Sequence, residues 1–182
     1  MTEIIQTNSG PVTLRTTQRE DGERLRALRI EALTQNPTCF SSSPQEAATE
    51  DWITRAADGC GDGVTAIFVA ESASKELVAM TGILLSDRLK FPHSGFIWGV
   101  YTRPAWRGLG LSKRLVNAAV EWAVAKGRTI VRLAVATHNA NAVRIYLRCG
   151  FTVYGVERAA SVVEGVEYDE LMMHWRMGGE RR

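Results

Sequence analysis

Arg107-Gly108-Leu109-Gly110-Leu111-Ser112 is the segment whose residue types most directly imply chemistry. It follows an apolar run, Gly95 to Thr102, that ends before Pro104, and it leads into a long stretch of helical periodicity. The first turn of a helix carries unpaired backbone N–H groups and the positive end of the helix dipole. Glycines let a phosphate reach that backbone with no Cβ in the way. Arg107, Lys113 and Arg114 add positive charge with no acid beside them. The segment is built to hold a phosphate or pyrophosphate; the alternative is a tight turn that simply starts a helix. Two familiar phosphate loops are excluded. The order Gly-x-x-x-x-Gly-Lys-Ser/Thr is absent, and Gly108-x-Gly110 lacks the third glycine of a dinucleotide fingerprint.

Charge along the chain supports an anion site. Residues 88–156 hold eleven Lys and Arg against one acid, Glu121, a net +10, whereas residues 1–87 carry −6 and residues 157–182 carry −2. A basic middle between acidic ends suits a chain whose middle meets an anion. Length and composition (182 residues, 45% hydrophobic, 23% charged) fit one globular domain over 1–182, with an ordered core of about 12–177. Residues 1–10 and Gly178 to Arg182 read as frayed tails. No secretory signal and no membrane-length apolar run is visible, so a cytoplasmic location is expected. Cys39, Cys60 and Cys149 form no CxxC pair, which argues against a zinc site or a disulfide framework, and Cys60 reads as a mobile loop tip. His93 and His138 have no ligand-spaced partner, His174 falls on a strand, and no metal is expected.

The elements that must position the loop follow from periodicity. Strands are expected at Val12 to Thr16, Thr65 to Glu71, Leu77 to Ser86, Gly95 to Thr102, Thr129 to Ala136, Phe151 to Glu157 and Tyr168 to Met177. Helices are expected at Asp21 to Thr34, Thr49 to Ala57, Gly110 to Lys126 and Ala140 to Arg148, with Ser41 to Pro44 as a loop. The strand–helix–strand unit 95–136 calls for a right-handed crossover and two parallel strands; the hairpins elsewhere are antiparallel. The fold class is therefore α/β of the α+β type: a mixed, mainly antiparallel sheet of about seven strands with helices on both faces.

Arg107-x-x-Gly110-x-Ser112 resembles the Arg/Gln-x-x-Gly-x-Gly/Ala signature of the GNAT family of N-acetyltransferases. A second segment matches independently: Asn139, Ala142, Tyr146, Gly150 and Phe151 fit the family's Asn-x-x-Ala-x-x-x-Tyr-x-x-x-Gly-Phe pattern. The resemblance implies an acyl-CoA N-acyltransferase fold and a transferase that moves acetyl from acetyl-CoA to a primary amine of a small molecule or peptide, by direct attack in a ternary complex. It implies that the backbone of Val100, Tyr101 and Thr102 pairs with the pantetheine arm and polarises the thioester carbonyl. It further implies that the N–H groups from Arg107 through Gly108, Leu109, Gly110 and Leu111 to Ser112 hold the pyrophosphate. Asn139 would contact the pantetheine, and Tyr146 would protonate the departing thiolate. Dimers are common in such families, so a homodimer is the assembly to test for; neither nucleic acid nor membrane is expected as a partner.

The chain departs from the family pattern at three places. Ser112 replaces glycine or alanine, Thr102 stands where valine is frequent, and the strand Phe96 to Val100 lacks the carboxylate with which many relatives deprotonate the amine. Glu46, Glu50, Asp87, Glu157 and Glu170 are the candidate bases, alongside a water chain or an amine that arrives neutral. The resemblance assigns the acceptor site to the first two helices and the last hairpin, which are the acidic regions here, so a cationic amine is the expected acceptor. Trp52, Trp98 and Phe40 are candidates to line its pocket. The missing strand carboxylate favours one competitor, a non-catalytic coenzyme A-binding sensor. A nucleic-acid module is the third class, and it lacks a motif.

Overall fold

The run Ala66-Ile67-Phe68-Val69-Ala70 is apolar at every position, so a strand made of it must be covered on both faces. Ala66, Phe68 and Ala70 enter one hydrophobic core, and Ile67 and Val69 a second. The computed structural model describes residues 2–179, and in them this strand, β3 (Thr65–Ser72), lies inside an eight-stranded sheet. The others are β1 (Thr2–Thr7), β2 (Gly10–Thr16), β4 (Leu77–Leu85), β5 (Ser94–Thr102), β6 (Ile130–Ala136), β7 (Thr152–Val163) and β8 (Val166–Arg176). Their spatial order is β1-β2-β3-β4-β5-β6-β8-β7, with every neighbouring pair antiparallel except β5 and β6.

Helices cover both faces, as expected. On one face α1 (Gly22–Gln35), α2 (Pro44–Thr49) and α3 (Trp52–Asp58) enclose Leu25, Leu28, Leu33, Trp52 and Met80. On the other, α4 (Leu111–Ala125) buries Leu111, Leu115, Ala119 and Ala123, and α5 (Ala140–Arg148) packs beside it through Tyr146. Gly127 stops α4 at φ 78°, a left-handed conformation that glycine enters without a Cβ penalty.

Four local expectations are corrected. Residues 2–7 are not a tail: β1 pairs with β2 from Thr2↔Arg15 to Thr7↔Gly10, because Ile5 finds a place in the core. Of the other expected tail, 180–182 lie outside the described residues. The expected helix Thr49 to Ala57 begins only at Trp52, as α3. The expected loop Ser41 to Pro44 ends in a separate helix, α2, which starts at Pro44. Ser43 caps α2 reciprocally with Glu46, and Asp51 starts α3 by accepting from Ile53 and Thr54 N–H at 3.1 Å each. Cys60 is held in an isolated bridge to Ala66 rather than on a free tip.

A charged knot joins the start of the chain to this frame. Arg15 on β2 donates to Asp21 at 2.6 and 2.9 Å and to Glu71 on β3 at 3.2 Å. Arg24 on α1 binds Asp21 and reaches Glu71 at 2.8 Å. Burial alone would raise the Asp21 carboxyl, but hydrogen bonds from Arg15 and the Gln18 N–H, with Arg24 beside it, hold it below the usual carboxylate range. A carboxyl so lowered stabilises the fold above its unfolded pKa, and the contribution disappears as pH falls through the folded value. Asp21→Asn is therefore expected to cost about 3 kcal/mol at pH 7, since it breaks a buried pair. Urea unfolding at pH 7 and near pH 3 checks this: the variant's deficit should shrink at the acid end.

Candidate active site

The site starts where two parallel strands stop pairing. β5 and β6 are in register only over Ser94–Phe96 and Ile130–Arg132. On its other side β5 is bulged: β4 pairs Met80 with Tyr101 and Gly82 with Trp98, so Thr81 alone faces Gly99 and Val100. Gly99 takes φ +63° there. A bulge bends its strand and sharpens the local twist. Beyond Phe96 the strands diverge into a cleft of about 630 Å³.

Each wall of the cleft comes from one element. Val100, Tyr101 and Thr102 on β5 form one side, with an edge that has no strand partner; Leu133 to Val135 on β6 form the other. The start of α4 closes one end with Gly108, Gly110, Leu111 and Ser112, and α5 contributes Ala142, Ile145 and Tyr146. All four charged residues of the lining, Arg107, Lys113, Arg144 and Arg148, are basic. The Leu109 side chain packs against the core and is not part of the lining.

Gly110 is the N-cap of α4, at φ 75° and with no side chain to satisfy the first N–H groups. A Cβ at Gly108 or Gly110 would meet nothing within 4 Å, so the loop stands open to the cleft. The side chain of Arg107 is turned back into the protein: its Nε donates to the Thr102 carbonyl at 3.0 Å and its guanidinium lies 6.0 Å from the Tyr101 ring centre. That carbonyl is therefore engaged, and the edge offered by β5 is narrower than Val100 to Thr102 implied. Thr102 and Ser112, two departures from the family pattern, are hydrogen-bonded to each other at 2.8 Å, tying the end of β5 to the first turn of α4. The Tyr101 hydroxyl donates to Glu31 or Gln35 of α1, each 2.9 Å away, and is pushed up to about 12 by burial and by Glu31.

Asn139 lines the cleft as the N-cap of α5, its Oδ1 accepting from the Ala142 N–H at 3.2 Å and its Nδ2 3.6 Å from Cys39 Sγ. Tyr146 lines the same wall and is 6% exposed; burial first, then Cys149 and Cys39, hold its phenol far above the ordinary value. His138 stands outside the lining, with Nε2 at 3.0 Å from Thr38 Oγ1 and its ring against Tyr168. His174 stacks on Tyr154, a packing role as expected.

No carboxylate lines the cleft among the described residues. Glu46 caps α2, Glu50 pairs with Arg55 at 2.6 Å, Asp87 lines a separate depression, and Glu157 and Glu170 face each other across β7 and β8. Burial and then Glu157 raise the Glu170 carboxyl, which does not bring it to the cleft. Several acids of the flanks are spent in ion pairs, such as Glu31–Arg103 and the Asp21–Glu71 knot. Of the aromatic candidates, Phe40 and Trp98 line the cleft, whereas Trp52 is core, 3% exposed, with its Nε1 donating to the Ala47 carbonyl. Sequence reasoning missed Cys39, whose spacing carries no signal, and Arg29, which interrupts the buried stripe Leu25, Leu28, Ala32, Leu33 of α1 and was legible there.

A family model described as the acetyltransferase (GNAT) family matches residues 25–151. The chain is 40% identical over 52 residues to an uncharacterized N-acetyltransferase of Methanocaldococcus jannaschii, covering 29% of this chain and 23% of that protein. It is 30% identical over 69 residues to a streptothricin acetyltransferase of Escherichia coli, covering 38% and 40% respectively. The chain thus spans less than half the length of these curated relatives. A solved structure, a GNAT superfamily phosphinothricin acetyltransferase of Sinorhizobium meliloti in complex with acetyl-CoA, superposes with TM-score 0.78 at 18% identity, over 91% of this chain and 88% of that one. That likeness is one of fold.

The hydroxyl tie between β5 and α4 makes a prediction of its own. Thr102→Val and Ser112→Ala are each expected to cost about 1 kcal/mol, and the double variant less than the sum, since one hydrogen bond is lost in all three. A double-mutant cycle by urea unfolding measures the coupling; strict additivity would show that the tie contributes nothing.

Proposed function

The chain belongs to the acetyltransferase (GNAT) family, and from that premise we propose that it transfers acetyl from acetyl-CoA to a primary amine of a small molecule or peptide, by direct attack with both substrates bound. The observation that carries the proposal is the cleft itself: an uncapped helix start at one end and a protonated tyrosine in the same wall.

The residues fit the donor. The open space beside Gly108 and Gly110 would take a pyrophosphate on the N–H groups from Arg107 to Ser112, and Lys113, Arg144 and Arg148 line the same cleft and would supply charge. The free edge at Val100 and Tyr101 and the capped Asn139 would hold the arm between. Acetyl-CoA supplies an activated acyl group as a thioester. Fixed donors on the strand edge stabilise negative charge where it develops, because they need not reorganise. Tyr146 is held protonated above its ordinary value and would give its proton to a leaving thiolate. With no carboxylate in the lining among the described residues, the amine's proton would pass to water, or the amine would enter neutral. The same observation favours a second reading, a coenzyme A-binding sensor without catalysis.

Three outcomes are expected. Acetyl-CoA and coenzyme A, but not ATP, should raise Tm, by about 3 kcal/mol of linkage at a hundredfold excess over Kd; no shift with either would overturn the proposal. Thiol release with an amine present separates the enzyme from the sensor. In the enzyme, Tyr146→Phe should lower kcat about tenfold or more with the acetyl-CoA shift intact. Its kcat/KM should rise with pH as the amine loses its proton. It should not fall before pH 10, because Tyr146 is held protonated above its ordinary value; a fall near pH 9 would remove it as the acid.

A further inference from the structure

Behind the cleft lies a buried positive charge whose hydrogen bonds are not all met among the described residues. Arg29 on α1 is 6% exposed, and its Nη1 is enclosed with no hydrogen-bond partner. Its guanidinium lies 4.9 Å from the ring centre of Phe40 and 5.9 Å from that of Trp98. A Cβ on Gly99 would stand 3.6 Å from Nη1. Phe40, Trp98 and Gly99 all line the cleft, so the guanidinium sits one layer behind its surface, next to the residue that precedes Val100 on β5.

The local charges do not balance. Glu50 is the carboxylate that acts on Arg29, but it is already paired with Arg55 at 2.6 Å, and Arg55 itself lies 5.5 Å from the Trp98 ring centre. Two guanidiniums share one carboxylate, and the surplus rests on the more buried of them. Burial, with Arg55 adding to it, draws Arg29 down to about 10, which leaves it charged at neutral pH. The aromatic faces soften that burial, but a ring offers no acceptor for the N–H groups. A buried guanidinium with an unused N–H is costly unless an anion completes it. A planar carboxylate matches its fork of donors.

We propose that Arg29 selects the acceptor by receiving a carboxylate carried on the same molecule as the attacking amine, so that the substrate is an amino acid or a similar amino-carboxylate. The inference rests on the acetyl-transfer reading and specifies its acceptor. Arg29 lies against the strand that would hold the thioester, in contact range of Gly99, and Phe40, on the connection between α1 and α2, is the cover that must turn aside. The amine then meets the acyl group while the carboxylate is held behind it. The acidic flanks of the sequence suggested a cationic amine; one without a carboxylate lacks that anchor and brings charge of the wrong sign to Arg29.

The test measures thiol release from acetyl-CoA by the full chain on matched sets: the twenty α-amino acids, their carboxamides and the amines left by decarboxylation. For the preferred acid, kcat/KM is expected to exceed that of its carboxamide and its decarboxylated amine by about tenfold or more, the range for a lost charge-assisted hydrogen bond. Arg29→Gln should bring the acid down to the level of its carboxamide while acetyl-CoA still raises Tm, and Arg29→Lys should restore part of the preference. A change in that ratio is a readout that a purely structural arginine would not move. Equal rates across a set, or an acid preference that survives Arg29→Gln, overturns the assignment and leaves acetyl transfer standing. Thiol release with none of the amines, from protein that acetyl-CoA stabilises, overturns the acetyl-transfer reading and this inference with it. Should Arg29→Gln fail to fold, the comparison of acid with carboxamide in the unsubstituted chain decides.

Discussion

Beyond Phe96 the two central parallel strands no longer pair, and the working part of the molecule depends on that parting. A sheet that stayed in register would spend the backbone of Val100 and Tyr101 on β6 and leave no cleft. The bulge of Gly99 and Val100 against Thr81 turns β5 aside, and Gly99 takes the positive φ. The start of α4 lies at the mouth that results, and the hydrogen bond between Thr102 and Ser112 fixes helix to strand there. The open backbone edge, the uncapped helix start and the tyrosine on α5 thus meet around one gap in one sheet.

Charge in this protein is sorted by fold rather than by sequence block. The +10 middle delivers Arg107, Lys113, Arg144 and Arg148 to the cleft, as its density suggested. The acidic ends behave differently. Asp21 and Glu71 are absorbed by Arg15 and Arg24, and Glu31 by Arg103 and the Tyr101 hydroxyl, so none of these charges lines the cleft. Counting charges along a chain gives the field only where opposite charges cannot find one another, and three of the pairs here, Arg15–Glu71, Arg24–Glu71 and Glu31–Arg103, join residues far apart in sequence.

Much of the local structure was legible before the structure was known. The stripe Leu111, Leu115, Ala119 with Gly127 beyond it defines α4, and the continuous apolar run of β3 requires cover on both faces. The misses have identifiable causes. Ser43-Pro44-Gln45-Glu46 is a capping box with proline at its first helical position, a signal for α2 present in the sequence but read as a loop. Residues 2–7 look like a tail because an edge strand needs little apolar content, and only its pairing with β2 shows that it belongs to the sheet.

The sequence by itself determined the glycine loop that opens α4, the partner motif from Asn139 to Phe151 and the family, because each is a short-range pattern whose chemistry lies in neighbouring residues. Tertiary structure decided what those patterns face. It packed Leu109 against the core, engaged the Thr102 carbonyl with Arg107, kept carboxylates out of the cleft lining among the described residues and left Arg29 Nη1 without a hydrogen-bond partner near Gly99. The reason is physical: a side chain's charge or hydrogen bond counts according to which groups close on it, and in a sheet ordered β1-β2-β3-β4-β5-β6-β8-β7 most of those groups come from other elements.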